Sequence, residues 1–188
     1  MATKTNAGLA TYGRPADAKY FSVAPFGTEL PATSNAELNQ AFESVRVSSD
    51  GITPSADLGK KDASKDWSGK PVLSAPAEPT ASLDVPVIDH SATANKIKYG
   101  SANVSGGGVK FTGATDEWSV VVTELHNDED GNPKSLVRTV YPRCGVKSLK
   151  LGSHKRGDLI VDTVSFEALD DGKGSGLFYL LPPVSVGA

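Results

Sequence analysis

Cysteine occurs once in these 188 residues, at Cys144, so no internal disulfide can form and the stapled frameworks of small secreted domains are excluded. No run approaches the roughly 20 apolar residues needed to cross a bilayer. The opening stretch MATKTNAGLATYGRPADAK lacks the apolar core of a secretion signal. No membrane insertion is expected, and the chain is expected to be made as a soluble protein in a cytosol. Basic excess is absent too: 19 Lys and Arg stand against 22 Asp and Glu, a net charge of −3. That balance disfavours tight binding to a phosphate backbone, so any contact with DNA should be non-adhesive. Aromatic residues make up only 7%, whereas there are 19 glycines and 12 prolines. Such a chain is cut into short elements by many turns and reads as mainly β, and its length suits one domain.

Residues 1–18 are small, polar and aperiodic, which predicts an N-terminal arm that is flexible before a neighbour captures it. The single β domain then spans 19–188. KYFSVAPFG places Phe21 and Val23 on one face of a first strand ending at Pro25. In SNAELNQAFESV, Ser34 and Glu37 form a capping-box pattern, with Leu38, Ala41, Phe42 and Val45 at helical spacing, which predicts a short amphipathic helix. From about 48 to 80 the text is polar and turn-forming, and Pro71, Pro76 and Pro79 forbid helix and interrupt strand pairing. It reads as one long excursion.

SLDVPVI alternates, with Leu83, Val85 and Val87 on one side, and its Pro86 favours an edge or a bulge. DHSATANKIKYG offers capping residues Asp89 and Ser91 and a terminal Gly100, predicting a second short helix. After the connector around SGGG, the segments VKFTG, EWSVVVTEL, SLVRTVYPR, GVKSLKL and DLIVDTVSFEAL read as successive strands separated by turn residues. In the last of them Val164, Phe166 and Ala168 face inward and Thr163, Ser165 and Glu167 outward. The predicted architecture is a β-sandwich or partly rolled barrel with one or two short flanking helices, a long loop and an N-terminal arm.

Catalytic patterns find little support. His90, His126 and His154 lie far apart, outside any metal-ligand spacing, in polar loops that suit surface residues. Cys144 reads as a buried bystander thiol. NDEDGNP alternates acidic and amide groups but lacks the preceding helix and closing Glu of a calcium loop, so a hairpin turn is expected. The glycines of SGGG are followed by neither a Lys-Ser/Thr pair nor a helix and read as a flexible connector. No enzyme, cofactor or metal is expected.

The two tryptophans differ. Trp118 begins an alternating strand with Val120 and Val122 on its own side and belongs to a core. Trp67 sits among Asp66, Ser68, Gly69 and lysines without apolar periodic partners. Either it folds back as a lid on its own domain or another molecule covers it.

AFESVRVSSDGITPSADLGKKDASKDWSGKPVL resembles the helix, "SEDG-ITxS" strand and "xDWGGD" loop of the major tail proteins, the tail tube subunits of long-tailed, siphovirus-type bacteriophages. LDVPVIDHSATANKIKYGSANVSGG is similar to that family's strand, helix and "YGxxNVT" turn. EWSVVVTEL resembles its Trp-led strand, SLVRTVYPRCGV a strand ending in Pro, and VSFEALDDGKG the closing strand and "ALPDxxG" turn. The order and spacing of these motifs carry the likeness from about Ala41 to Gly174. Departures include Val45 and Arg46 for a frequent Gly-Tyr, Ser49 for Glu, and Lys70 for the last Asp of "WGGD", which reverses a charge. The immunoglobulin-like C-terminal domain of some members is not expected here.

The resemblance implies a virion structural protein, assembled in the host cytoplasm as hexameric rings stacked into a tail tube. Its partners would be further copies of itself, a tape measure protein, a tail terminator and distal tail or baseplate proteins. DNA would pass through the lumen without specific binding during genome ejection. It further implies that Asp50, Gly51, Ile52, Leu58, Lys60, Lys61, Asp66, Trp67 and Lys70, in the loop at about 48–80, contribute to the assembly interface. The alternative is a β-sandwich module decorating a virion or cell surface and recognising glycan or host protein, which would favour clustered exposed aromatics. A hydrolase would need a converging Asp/Glu pair, for which the sequence offers no candidate.

Overall fold

The computed structural model describes residues 12–15, 20–59, 64–73, 78–106, 108–113, 116–127 and 132–186. Its strands, in chain order, are β1 (Tyr12–Pro15), β2 (Phe21–Pro25), β3 (Glu43–Ser44), β4 (Thr53–Asp57), β5 (Ser64–Lys65), β6 (Pro71–Leu73), β7 (Thr80–Val87), β8 (Val104–Ser105), β9 (Gly108–Val109), β10 (Glu117–Asn127), β11 (Pro133–Lys150), β12 (Asp162–Ala168) and β13 (Tyr179–Ser185). Among the described residues one α-helix, α1 (Ala92–Tyr99), lies between β7 and β8. The chain is mainly β with antiparallel pairing, as its alternating segments predicted.

The main sheet runs β3-β2-β10-β11-β12-β7-β4, with β1 added to β10 and β13 to β11. Its two ends meet. Residues 43–48 leave β2, where Val45 N–H donates to Phe21 O (3.0 Å), and reach β7, where Ile88 N–H donates to Arg46 O (3.1 Å) and Val47 bridges Val87. The sheet is thereby rolled into a barrel, leaving fewer unpaired edges than an open sheet of the same strands.

Alternation decides what fills it. Leu83, Val85 and Val87 of β7, Trp118, Val120 and Val122 of β10, and Val164, Phe166 and Ala168 of β12 all turn inward to one buried cluster, as their spacing predicted. Phe21 packs on Phe166 with ring centroids 6.1 Å apart. Ala94 and Ile97 of α1 join the same cluster. The helix begins where Ser91 accepts Ala94 N–H on its hydroxyl and stops at Gly100, whose positive φ of 89° suits glycine. Lys98 fastens the helix to the barrel through a buried 2.8 Å ion pair with Asp162, and it also donates to Asp89 O (2.9 Å).

The opposite face of the β10–β11 spine is covered too. Val121, Val140 and Leu181 form a second cluster, overlaid by Leu30, Leu38, Phe42 and Tyr179. The helix expected from Ser34 to Val45 does not form, because tertiary partners take its groups. The Ser34 hydroxyl donates to Pro182 O (2.7 Å) instead of capping, and the buried Arg138 guanidinium donates to the carbonyls of Thr33 (3.3 Å) and Ala36 (2.5 Å). Leu38 and Phe42 pack on the outer cluster while Val45 passes into the barrel.

Several strand expectations are corrected. SLVRTVYPR and GVKSLKL are one strand of 18 residues, β11. Pro142 is absorbed because β11 carries one extra residue between Tyr141 and Cys144, opposite Val120 and Trp118, and Ser119 donates its hydroxyl to Pro142 O (2.7 Å). Of VKFTG only Val109 lies in a strand, β9, whose other residue, Gly108, comes from the SGGG connector, in a small hairpin pairing Val104 with Val109. In DLIVDTVSFEAL the strand starts at Asp162. β13 has no counterpart among the predicted strands. Its Pro182 and Pro183 sit at a bulge on an outermost strand, where missing N–H groups are tolerated. Pro86 lies on β7 two residues past Asp84, the last residue paired by β4. Within the arm, Tyr12–Pro15 pairs with Glu124–Asn127 of β10; residues 1–11 and 16–18 lie outside the described residues.

Candidate assembly surface

The described residues of the 48–80 excursion include β4 and the β5–β6 hairpin. β4 is five residues long, exposed throughout, and paired only with β7 among the described residues. Its other edge leaves N–H and C=O groups open to pairing.

The hairpin's turn is built by one carboxylate. Asp66 Oδ1 accepts Ser68 N–H (2.9 Å), the Ser68 hydroxyl (2.6 Å) and Lys70 N–H (2.9 Å). Backbone bonds from Asp66 N–H to Lys70 O (2.8 Å) and from Gly69 N–H to Asp66 O (2.9 Å) close it, and Gly69 takes a φ of +81°. The Ser68 hydroxyl, followed by the backbone of Lys70, holds the Asp66 carboxyl below its usual range. What this turn displays is Trp67, at 102% relative exposure. Sequestering an indole of about 200 Å² at about 25 cal/mol per Å² is worth on the order of 5 kcal/mol before any cost of association. The backbone is therefore ordered while its largest side chain is left in water. The lid alternative, with Trp67 tucked on its own domain, does not occur.

The other expected interface residues divide. Lys70 is exposed in the same turn as Asp66 and Trp67. Leu58, just past β4, is 89% exposed. Asp50 and Gly51 belong to a separate turn, in which Gly51 N–H donates to Ser48 O (3.0 Å) and the Ser48 hydroxyl lies 3.1 Å from Asp50 Oδ2. Ile52 turns inward and packs against the barrel core. Lys60 and Lys61 lie outside the described residues.

A feature without a sequence signal of its own lies between β4 and β13. Pro54, Ser55 and Ala56 face Thr139, Tyr141, Phe178 and Leu180 across an open groove of about 330 Å³. Its floor is aromatic, with the Tyr141 and Phe178 rings 5.4 Å apart, and Leu180 forms an exposed wall. Burial, with lesser effects from Cys144 and Glu124, pushes the Tyr141 hydroxyl up to about 12, so the floor stays uncharged. Phe178 and Leu180 give no clear strand pattern in the sequence because they precede a Pro-Pro pair that masks the alternation of β13.

The remaining chemistry-bearing residues are dispersed. Cys144 is fully buried, as expected, and burial pushes its thiol up to about 12. His90 and His154 are exposed, while His126 is half-buried 3.5 Å from Glu124. Asn127 and Pro133 pair across the β10–β11 hairpin, as expected of NDEDGNP, whose residues 128–131 lie outside the described residues. Among the described residues no three His, Cys, Asp or Glu side chains converge to hold a metal ion, and no helix is long and apolar enough to cross a membrane. Neither a scan of protein-family models nor a search of curated proteins found a match to the chain.

Proposed function

We propose that the chain is a structural subunit that polymerises with its own copies as stacked rings, in the manner of a phage tail tube protein. The observation that carries this reading is the Asp66-fastened turn holding Trp67 fully in water. Local order without local burial is what a contact made only on association requires. The ordered motif likeness from Ala41 to Gly174 supports the same reading. So does the exposed, half-paired β4, which a neighbouring subunit could extend. A net charge of −3 suits a conduit that DNA must traverse without sticking.

Electron microscopy of concentrated protein tests the proposal. Rings or tubes with a central hole are expected; a species that stays monomeric at every concentration, also with tail assembly partners present, refutes it. The decoration-module reading draws on the exposure of Trp67 and of Phe111, 74% exposed, since exposed rings can stack on sugars. Glycan binding by the monomer would favour it.

A further inference from the structure

We infer that the groove between β4 and β13 is the receptor for the Trp67 turn of a second copy of this chain. The inference rests on the self-assembly reading for its claim that copies meet, and goes beyond it by naming both halves of the contact.

The donor half is an indole held clear of its own domain on a turn whose backbone is already fixed. The turn's backbone is thus already ordered before docking, and the cost that remains there is the rotamer freedom of the exposed indole. The receptor half is apolar, open at the surface and floored by two aromatic rings, on which an indole can lie offset or edge-on. At about 330 Å³ it sits at the lower end of the range for small-ligand pockets, a size suited to one large side chain.

Charge distinguishes this occupant from an arbitrary apolar one. The donor segment Lys65–Lys70 carries two lysines and one aspartate, a net charge of +1. The receptor's surroundings are acidic. Glu124, 3.5 Å from His126, lines the adjoining cavity that shares Pro54, Thr139 and Tyr141 with the groove, and Asp57, which accepts Gly59 N–H (2.9 Å), follows Ala56 on β4. The nearby Lys147 is 3.3 Å from Glu167 and matched by it. A positive turn thus meets a negative rim, which orients the encounter as the ring enters. Among the described residues β4 pairs only with β7, so a hairpin arriving there also finds one open backbone edge.

The test replaces Trp67 with photo-reactive p-benzoylphenylalanine, an aromatic of similar bulk, in full-length chain. This is mixed with isotope-labelled wild-type chain and irradiated at concentrations that give assemblies. Crosslinks joining light to heavy chains, in peptides containing residues 54–56 or 178–180, are expected. Assemblies whose crosslinks fall on other surfaces, or only within one chain, overturn the inference while leaving the tube reading standing. Groove crosslinks between chains that form no ring or tube uphold the inference and remove the tube reading. As an independent arm, Ala56→Trp fills the groove from an exposed strand. It should raise the concentration for half-maximal assembly about thirtyfold with thermal stability preserved; undiminished assembly overturns the inference.

Discussion

Trp118 and Trp67 carry the same side chain to opposite fates: 5% exposed inside the barrel and 102% exposed on the hairpin. The barrel has buried its apolar side chains in one core and paired its central strands within one molecule, although the Trp118 indole N–H finds no hydrogen-bond partner there. The hairpin has satisfied its backbone through Asp66 and left its apolar surface uncovered. The difference separates residues that make the fold from residues that the fold presents, and it implies that stability and assembly can be altered independently.

Substitutions at the barrel should affect folding most. Phe166→Ala removes a fully buried ring tilted against Phe21 and should cost about 3–5 kcal/mol in denaturant unfolding, a large share of a domain's usual stability. Lys98→Met strands the buried Asp162 carboxylate and should cost about 3–5 kcal/mol. That pair also sets an acid limit. Burial alone would raise the Asp162 pKa, yet hydrogen bonds from Gly152 N–H and Lys98, with the Lys98 charge, bring it below the ordinary value. A lowered folded-state pKa gives stability that is complete above the unfolded-state pKa and is lost as pH falls through the folded one. Melting temperatures of the wild type should therefore decline on acidification more steeply than those of Asp162→Asn.

Smaller effects fall on the outer strap. Ser34→Ala removes the hydroxyl bond to Pro182 O and should cost about 1 kcal/mol. At the far end of the scale, Trp67→Ala should change unfolding free energy by less than about 0.5 kcal/mol while assembly, followed by sedimentation, is impaired. Equal losses of stability and assembly in that variant would erase the distinction between the two regions.

Where side chains alternate between one core and solvent, as in β7 and β12, strand and buried face were legible from the sequence. So were α1, through Ser91 and Gly100, and the contrast between the tryptophans. The strap at 34–45 was misread because Leu38, Phe42 and Val45 have helical spacing but serve two different cores. Its carbonyls, moreover, are claimed by Arg138, 102 residues away from Ala36. Local pattern carries no information about such a distant competitor. β11 and β13 were obscured by prolines that bulges accommodate, and β4 by a composition with nothing to bury. Of the candidate surface, the Trp67 turn could be seen in the sequence. The groove could not, because its walls come from β4, β11 and the approach to β13.

The two indoles themselves allow the most direct test of whether the barrel keeps its own tryptophan while the hairpin offers its tryptophan to a neighbour. Acrylamide quenching of tryptophan fluorescence should find one accessible and one protected population at low concentration, and the accessible population should disappear as protein is concentrated into assemblies. Rings or tubes that form with the quenchable fraction unchanged would contradict the account.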